Sequence, residues 1–267
     1  MAIVRNRDVL DGPARHEYVQ SIARGFAVIK AFSGQADSLT ITDVAQRTRL
    51  SRAASRRFLL TLKELGYVTH DAGTFRLTPR VLDLGFAFLS TMKLPDVAMP
   101  VMEEVVSKVH ESCSISVLDG GDIVYVARVP AKRIMSIVLA VGARLPAYPA
   151  SMGRVLLAGL ESESLDRYFG MVTLCPLTKW TITNVAKLRR IVEQVREQGW
   201  ALVDQEVELG LRSVAAPIRD RSGQTIAAIN ISSHVSRVNL KDMRVRHLAL
   251  VLQAAAQISK ILGAPES

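Results

Sequence analysis

The chain has 267 residues, 49% of them hydrophobic and 22% charged, which is enough apolar material for a core and too much for a disordered chain. Its 34 Lys+Arg against 25 Asp+Glu give a formal net charge of +9. No apolar run approaches the ~20 residues of a membrane span, the start lacks the apolar stretch of a secretory signal, and the two cysteines, Cys113 and Cys175, build no disulfide framework.

Those features exclude membrane, secreted and metal-clustered classes and point to a reduced, cytoplasmic chain of two domains, at roughly 100–200 residues each. More than half of the positive excess lies in the first third. Residues 1–90 hold 13 Lys+Arg and 8 Asp+Glu, a net of +5. Arg47, Arg49, Arg52, Arg56 and Arg57 occur with no acid between Asp43 and Glu64. Such density fits a polyanionic partner. Charge alone fits a solvated basic helix face equally well.

The spacing of Ile22, Phe26, Ile29 and Ala31 predicts a first helix over 21–32, ended by Ser33-Gly34. Thr40-Ile-Thr-Asp43 has the pattern of a helix cap, with the acid at the positive end of the helix dipole. A short second helix to Thr48, a tight Arg49-Leu50 connection and a third helix capped by Ser51 and closed at Gly66 then give a helix-turn-helix. On a wheel of ~100° per residue, Ala54, Phe58, Leu62 and Leu65 share one apolar face, and Arg52, Ala53, Arg56 and Lys63 fall away from it. Two Arg one turn apart near a helix start suit base edges in a major groove, where Arg takes guanine bidentately and small Ala53 and Ser55 allow close approach. Thr40, Arg49, Ser51 and Arg57 complete the candidate contacts of this segment. Around Asp71-Ala72-Gly73, residues 67–70 and 74–77 read as a hairpin. As a wing it would bring Thr74 and Arg76 to phosphates; as a core-closing hairpin it would not. A further apolar helix over 81–92, with Leu82, Phe86 and Leu89 on one stripe, reads as a linker. Its stripe is open to internal packing or to a second subunit, the latter being preferred.

The remaining two thirds alternate differently. A helix is expected over 95–111 with Val97, Val101, Val105 and Val109 on one stripe, then strands over 113–118, 123–129 and 134–141. Asp119-Gly-Gly-Asp122 makes a hairpin turn rather than a phosphate loop, which needs a Lys-Ser/Thr partner. A loop over 144–149 precedes helices over 151–160, 163–169 and 184–198. A second hairpin, 212–219 with 224–232 around Arg221-Ser-Gly223, and a last helix over 240–262 complete an α+β domain on an antiparallel sheet. The five histidines show no metal-ligand spacing, and no Gly-x-Ser-x-Gly elbow is present; no cofactor or metal is expected, nor an enzyme. Asp204, Glu206 and Glu208 form an acidic cluster that reads as a solvated strand edge. In the last strand Ala228, Asn230 and Ser232 share a face opposite Ile229 and Ile231; the polar face is open to solvent or to a small cavity. Beside it, the helix start at Ser151 offers unpaired N–H groups to a carboxylate, and Arg154 either adds charge there or lies on the surface.

Ser21-Ile-Ala-Arg-Gly25, the winged helix, Leu145-Pro-Ala-Tyr-Pro-Ala-Ser-Met-Gly-Arg-Val-Leu-Leu-Ala158, Glu208-Leu-Gly-Leu-Arg-Ser-Val-Ala-Ala-Pro217 and Ile226-Ala-Ala-Ile-Asn-Ile-Ser232 together resemble the IclR family of bacterial transcriptional regulators over residues 20–263. Leu50-Ser-Arg-Ala-Ala-Ser-Arg-Arg-Phe-Leu59 and Arg128-Val-Pro-Ala-Lys-Arg-Ile-Met135 are similar to its aromatic-acid branch. The resemblance implies an extension over 1–20, a winged helix-turn-helix domain over 21–79, a linker helix over 80–94 and a GAF-like effector domain over 95–267. It implies binding to a double-stranded DNA operator, dimers or tetramers, contact with RNA polymerase, and control of β-ketoadipate pathway genes by protocatechuate, 4-hydroxybenzoate, β-ketoadipate or a similar small carboxylate. Activation is the leading expectation; repression of another carboxylate operon and an effector-independent architectural DNA binder are the alternatives. Carried residue by residue, the family's effector site falls on Tyr148, Ser151, Met152 and Gly153, with Ser213, Asn230 and Ser232 at the wall. Asn230 stands where some relatives carry Ser.

Overall fold

The computed structural model describes residues 18–33, 37–89, 93–131 and 140–265. The chain divides into two compact units, 1–90 and 91–267, a boundary that falls within the expected linker.

In the first unit, α1 (Gln20–Lys30), α2 (Ile41–Thr48) and α3 (Arg52–Glu64) precede a hairpin of β1 (Val68–Asp71) and β2 (Thr74–Leu77). Ala72 and Gly73 form the two-residue turn, both with positive φ (45° and 81°), the mirror-image geometry that matches strand twist. Leu39 exchanges both backbone hydrogen bonds with Phe75, at 2.9 and 2.8 Å, adding a one-residue antiparallel bridge to the other edge of β2. Val28, Phe32, Leu39, Val44, Leu59, Leu62, Val68 and Phe75 form the core; each is worth ~1.5–3 kcal/mol of burial.

Two helix faces differ from the sequence expectation. On α1, Val28 is buried while Ile22 and Phe26 are exposed, because only its last turns meet the core. On α3 the buried side chains are Ser55, Leu59 and Leu62, whereas Leu65 is exposed and Ala54 and Phe58 are half-buried. A 3-10 turn (Pro79–Val81) leads to α4 (Leu82–Leu89), on which Leu82 is exposed; the stripe's Phe86 and Leu89 side chains lie outside the described residues.

The second unit opens with α5 (Leu94–Val109), which buries Leu94, Ala98, Val101, Met102 and Val105, a wider stripe than the valines alone predicted. Then come β3 (Ser112–Asp119), β4 (Asp122–Val129), β5 (Arg144–Pro146), α6 (Ser151–Ala158), α7 (Ser162–Met171), α8 (Val185–Gln198), β6 (Ala201–Asp204), β7 (Leu211–Arg219) and β8 (Thr225–His234). Helix α9 (Leu240–Asp242) passes through a π turn (Met243–His247) into α10 (Leu248–Ile261), so the expected final helix is interrupted. The strand expected over 134–141 lies mostly outside the described residues.

The sheet runs β5-β4-β3-β8-β7-β6, and every pairing is antiparallel. Two of its strands escaped the sequence. Arg144–Pro146, expected as loop, pairs with Asp122–Val124, and Ala201–Asp204 pairs with β7; at three and four residues both are too short for alternation to register. α6, α7 and α8 pack with Ile123, Tyr125, Ala201, Ala215 and Ala228 on one face. By alternation, Ile115, Val214, Ala216, Ile229 and Ile231 project from the other, toward α5 and α10.

Gly153 fixes how closely α6 approaches the preceding segment. A Cβ there would stand 1.9 Å from the Ala147 carbonyl oxygen, a backbone atom that cannot swing away. Gly153→Ala should therefore cost ~1–3 kcal/mol or more by overpacking, read as a lowered midpoint in urea unfolding. Gly170 in α7 has nothing within 4 Å of such an atom, and Gly170→Ala should add ~0.5–1 kcal/mol of stability, read as a raised midpoint. Equal effects of the two would refute the close approach.

Candidate functional site

The basic cluster is held in place by local chemistry. At the start of α2, Thr40 Oγ accepts from Asp43 N at 3.2 Å, and the Thr40 backbone N–H donates to the Asp43 carboxylate at 2.8 Å. The Thr40 hydroxyl also donates to Asp43 Oδ2 at 2.7 Å, and this bond first, then that of the Thr40 backbone N–H, holds the Asp43 carboxyl below its usual range. Arg49 closes α2 in the left-handed region (φ 57°), and Ser51 caps α3 by accepting from Ala54 N at 3.2 Å. The turn between the helices is thus three residues long. Arg52, Ala53, Arg56 and Arg57 on α3 are exposed, as are Arg49 and Ser51.

Two expectations for this surface change. Ser55 is wholly buried and its Oγ has no partner, so it packs inside the unit and does not reach DNA. Arg47 donates to the Ala31 carbonyl at 2.8 Å, closing α1; one of the five clustered arginines belongs to the fold. On the hairpin, Arg76 is exposed, while the Thr74 hydroxyl donates to Asp71 O at 2.9 Å. Thr40 is likewise occupied as a cap.

In the second unit the register gathers polar side chains on one sheet face. Ser114 stands opposite Arg128 on one side and Asn230 on the other; Ser112, Ser232 and Ser213 form the next row, and Ser116 pairs with Tyr125. All lie on the side of α6, since Ser151 Oγ meets Ser213 Oγ at 2.8 Å and Ser116 Oγ donates to Met152 Sδ at 3.3 Å. The polar face therefore looks inward, toward the helices, and the solvent alternative falls. Helix α6 starts without a side-chain cap, leaving the N–H groups of its first turn without intrahelical acceptors. Burial pushes the Tyr125 phenol up to about 12, with the Arg128 charge acting against it, so Tyr125 is a neutral donor at neutral pH. Ser112, Ser114, Ser116, Tyr125 and Arg128 were absent from the sequence-derived site, although the Ser-x-Ser-x-Ser alternation was there to be seen.

Arg154 is buried and points inward, but its charge is taken. Its Nη2 donates to Glu206 Oε2 at 2.7 Å and its Nε to the Tyr148 carbonyl at 3.0 Å; Glu206 Oε2 also accepts from Ile182 N at 3.0 Å. The acidic cluster is thus no solvated edge: Glu206 is buried with Arg154, and Asp204 is bonded by Arg212 Nε at 3.0 Å. The Tyr148 hydroxyl donates to the Cys175 carbonyl and accepts from Cys175 N, so its polar tip tethers a loop rather than meeting a ligand. Burial drives the Cys113 thiol up to about 12, which makes it inert. Among the described residues no His, Cys, Asp and Glu group could hold a metal ion, and no helix is long and apolar enough to cross a membrane.

Comparison with known proteins accounts for both units. The IclR helix-turn-helix domain matches residues 21–72, and the bacterial transcriptional regulator IclR C-terminal domain matches residues 86–260. The chain is 44% identical to the Pca regulon regulatory protein of Pseudomonas putida, over 91% of this chain and 84% of that protein. It is 51% identical to a transcriptional regulator of known structure from Rhodococcus sp. RHA1, with a TM-score of 0.82 over 92% of this chain and 98% of the other. A double mutant of the PobR inducer-binding domain from Acinetobacter, solved with 3-hydroxybenzoic acid, is 30% identical, with a TM-score of 0.61 over 64% of this chain and 99% of its own. With matched domains covering most of its length, the chain belongs to the IclR family of bacterial transcriptional regulators.

Proposed function

We propose that the chain is a ligand-responsive activator of aromatic-acid catabolism genes of the β-ketoadipate pathway, working in the cytoplasm as a homodimer or a pair of dimers. The first unit reads a double-stranded operator with Arg52, Ala53, Arg56 and Arg57 in the major groove, and Arg49, Ser51, Thr74 and Arg76 beside the phosphates. The second unit takes a small aromatic or dicarboxylic acid on the polar face beside Ser151, Met152 and Gly153, with Ser213, Asn230 and Ser232 at the wall. Binding there shifts the equilibrium between two arrangements only by its differential affinity for them, and RNA polymerase contact follows from the favoured one. Likeness to the Pca regulon protein supports the pathway. Ile22, Phe26 and Leu82 are exposed, and a second copy is the occupant that such apolar side chains suit.

The observation that carries this function is the inward-facing polar surface next to an uncapped helix start in the same chain as an exposed arginine helix. Arg52→Ala with Arg56→Ala should lose at least a hundredfold in affinity for an operator selected by the wild-type protein from random DNA, with an unchanged melting curve. Each good bidentate base contact is worth ~1–3 kcal/mol. Ser55→Ala should bind that operator normally and be no less stable, since it removes a buried hydroxyl that has no partner. Normal footprinting by the double variant would refute the recognition helix.

Protocatechuate, 4-hydroxybenzoate and β-ketoadipate form the decisive panel for the second unit. One of them at 100 times its Kd should stabilise the protein by ~2.7 kcal/mol and change operator affinity in the same titration. A melting temperature and footprint indifferent to all three would leave an effector-independent DNA binder.

A further inference from the structure

Asn230 is 4% exposed; its Nδ2 donates to Ser232 Oγ at 2.9 Å, and its Oδ1 has no partner. Buried acceptors are rarely left unpaired, because their desolvation goes uncompensated. On the same face, Arg128 reaches Ser114 Oγ only at the long distance of 3.4 Å, and among the described residues no carboxylate pairs with it. Arg128 itself is half-buried, and the buried guanidinium near the face, Arg154, is neutralised by Glu206. One unneutralised cation and one unpaired acceptor therefore flank Ser114, which stands opposite both in the sheet.

Neighbouring strands lie ~4.8 Å apart, so Arg128 and Asn230 stand ~10 Å apart at their Cα atoms. The long Arg128 side chain reaches toward Ser114, so its guanidinium stands closer to Asn230 than the backbone spacing. Tyr125 on the same face is a neutral phenol, and among the described residues of that face Arg128 carries the positive charge.

We infer, building on the effector function proposed above, that the ligand is a hydroxy-carboxylate held in one orientation, with its carboxylate on Arg128 and Ser114 and its hydroxyl donating to Asn230 Oδ1. Arg128 is the anion anchor and Asn230 selects for the hydroxyl. A carboxylate gains charge-assisted hydrogen bonds from a guanidinium fork. A hydroxyl supplies the proton that Oδ1 lacks, whereas a methoxy oxygen at the same place sets lone pair against lone pair. A site built for a ligand hydroxyl rejects analogues without one far more strongly than an apolar pocket rejects a missing methylene.

Calorimetric titration of the full chain with 4-hydroxybenzoate, protocatechuate, 4-methoxybenzoate and benzoate tests this. The two hydroxy acids should bind at least tenfold tighter than the other two. Asn230→Leu should bring that ratio close to one, and Asn230→Ser, whose hydroxyl both donates and accepts, should narrow it with less risk to the fold. Arg128→Gln should weaken every acid in the panel at least tenfold, and Arg128→Lys should recover part of the loss. Circular dichroism melting checks that each variant is folded. Equal binding of hydroxy and methoxy acids, or an Arg128→Gln affinity equal to wild type, overturns this inference and leaves the effector function standing. Failure of all four acids to bind overturns this inference, and failure of β-ketoadipate to bind as well overturns both.

Discussion

The second unit is organised around the buried pair of Arg154 and Glu206. Taking two charges out of water costs several kcal/mol per ion, so such a pair persists only when its remaining hydrogen-bonding capacity is met. Here it is. Arg154 also donates to the Tyr148 carbonyl, and Glu206 also accepts from Ile182 N, while the Thr181 hydroxyl donates to the Glu206 carbonyl at 2.6 Å. Three segments distant in sequence are thereby held together: the start of α6, the turn after β6, and the loop before α8. The pair fixes the rotation of α6, and with it the side from which Ser151 and Met152 face the sheet. It also removes Arg154 as a source of free charge, which leaves recognition of an anion to the far side of the polar face.

Constraint in the first unit is local by comparison. A cap at Thr40, a left-handed residue at Arg49 and a second cap at Ser51 set the angle between α2 and α3 within a dozen residues. Leu59, Leu62 and Val28 then lock α3 onto the core, and the opposite side keeps its arginines in solvent. Exposed guanidinium groups are cheap to hold and strongly screened by salt, which suits a polyanion that is met, scanned and released. A half-buried guanidinium such as Arg128 is screened less, and it suits a small ligand held in one pose.

The difference between local and distant constraints decides how much was legible in the sequence. Caps, turns and the hairpin at Ala72-Gly73 are short-range signals, and α2, α3 and all three hairpins emerged from them with nearly correct limits. The alternation of Ala228, Asn230 and Ser232 gave the correct face of β8 because period two is a local property. Whether that face met water or protein was not local. It depended on Ser151 finding Ser213 and on Met152 finding Ser116, contacts across 62 and 36 residues. The fates of Arg154, Glu206 and Tyr148 were hidden for the same reason: each is decided by a partner at least 27 positions away. Ser55 was misplaced by an angular error, since a wheel anchored on Ala54 and Leu65 turns the true buried face of α3 by about one residue. Family resemblance supplied the address proposed for the site, and the register supplied the chemistry proposed for it.

The excess of positive charge with which the sequence opens divides accordingly. Arg47 and Arg154 are consumed by the fold, one closing α1 and the other neutralised inside the second unit. Arg52, Arg56, Arg57 and Arg76 stand in solvent on the unit that carries the helix-turn-helix. Net charge cannot separate these populations, because a buried arginine and an exposed one count alike in the total. Burial and pairing can. A ligand on the sheet face has no surplus charge with which to act on DNA directly: its carboxylate is matched where it binds. On the effector function proposed above, its influence on the operator passes through the positions of packed elements, and α6, whose first turn bonds the polar face through Ser151 and Met152 and whose last residue accepts from Arg196 of α8, is the element whose displacement that ligand would bias.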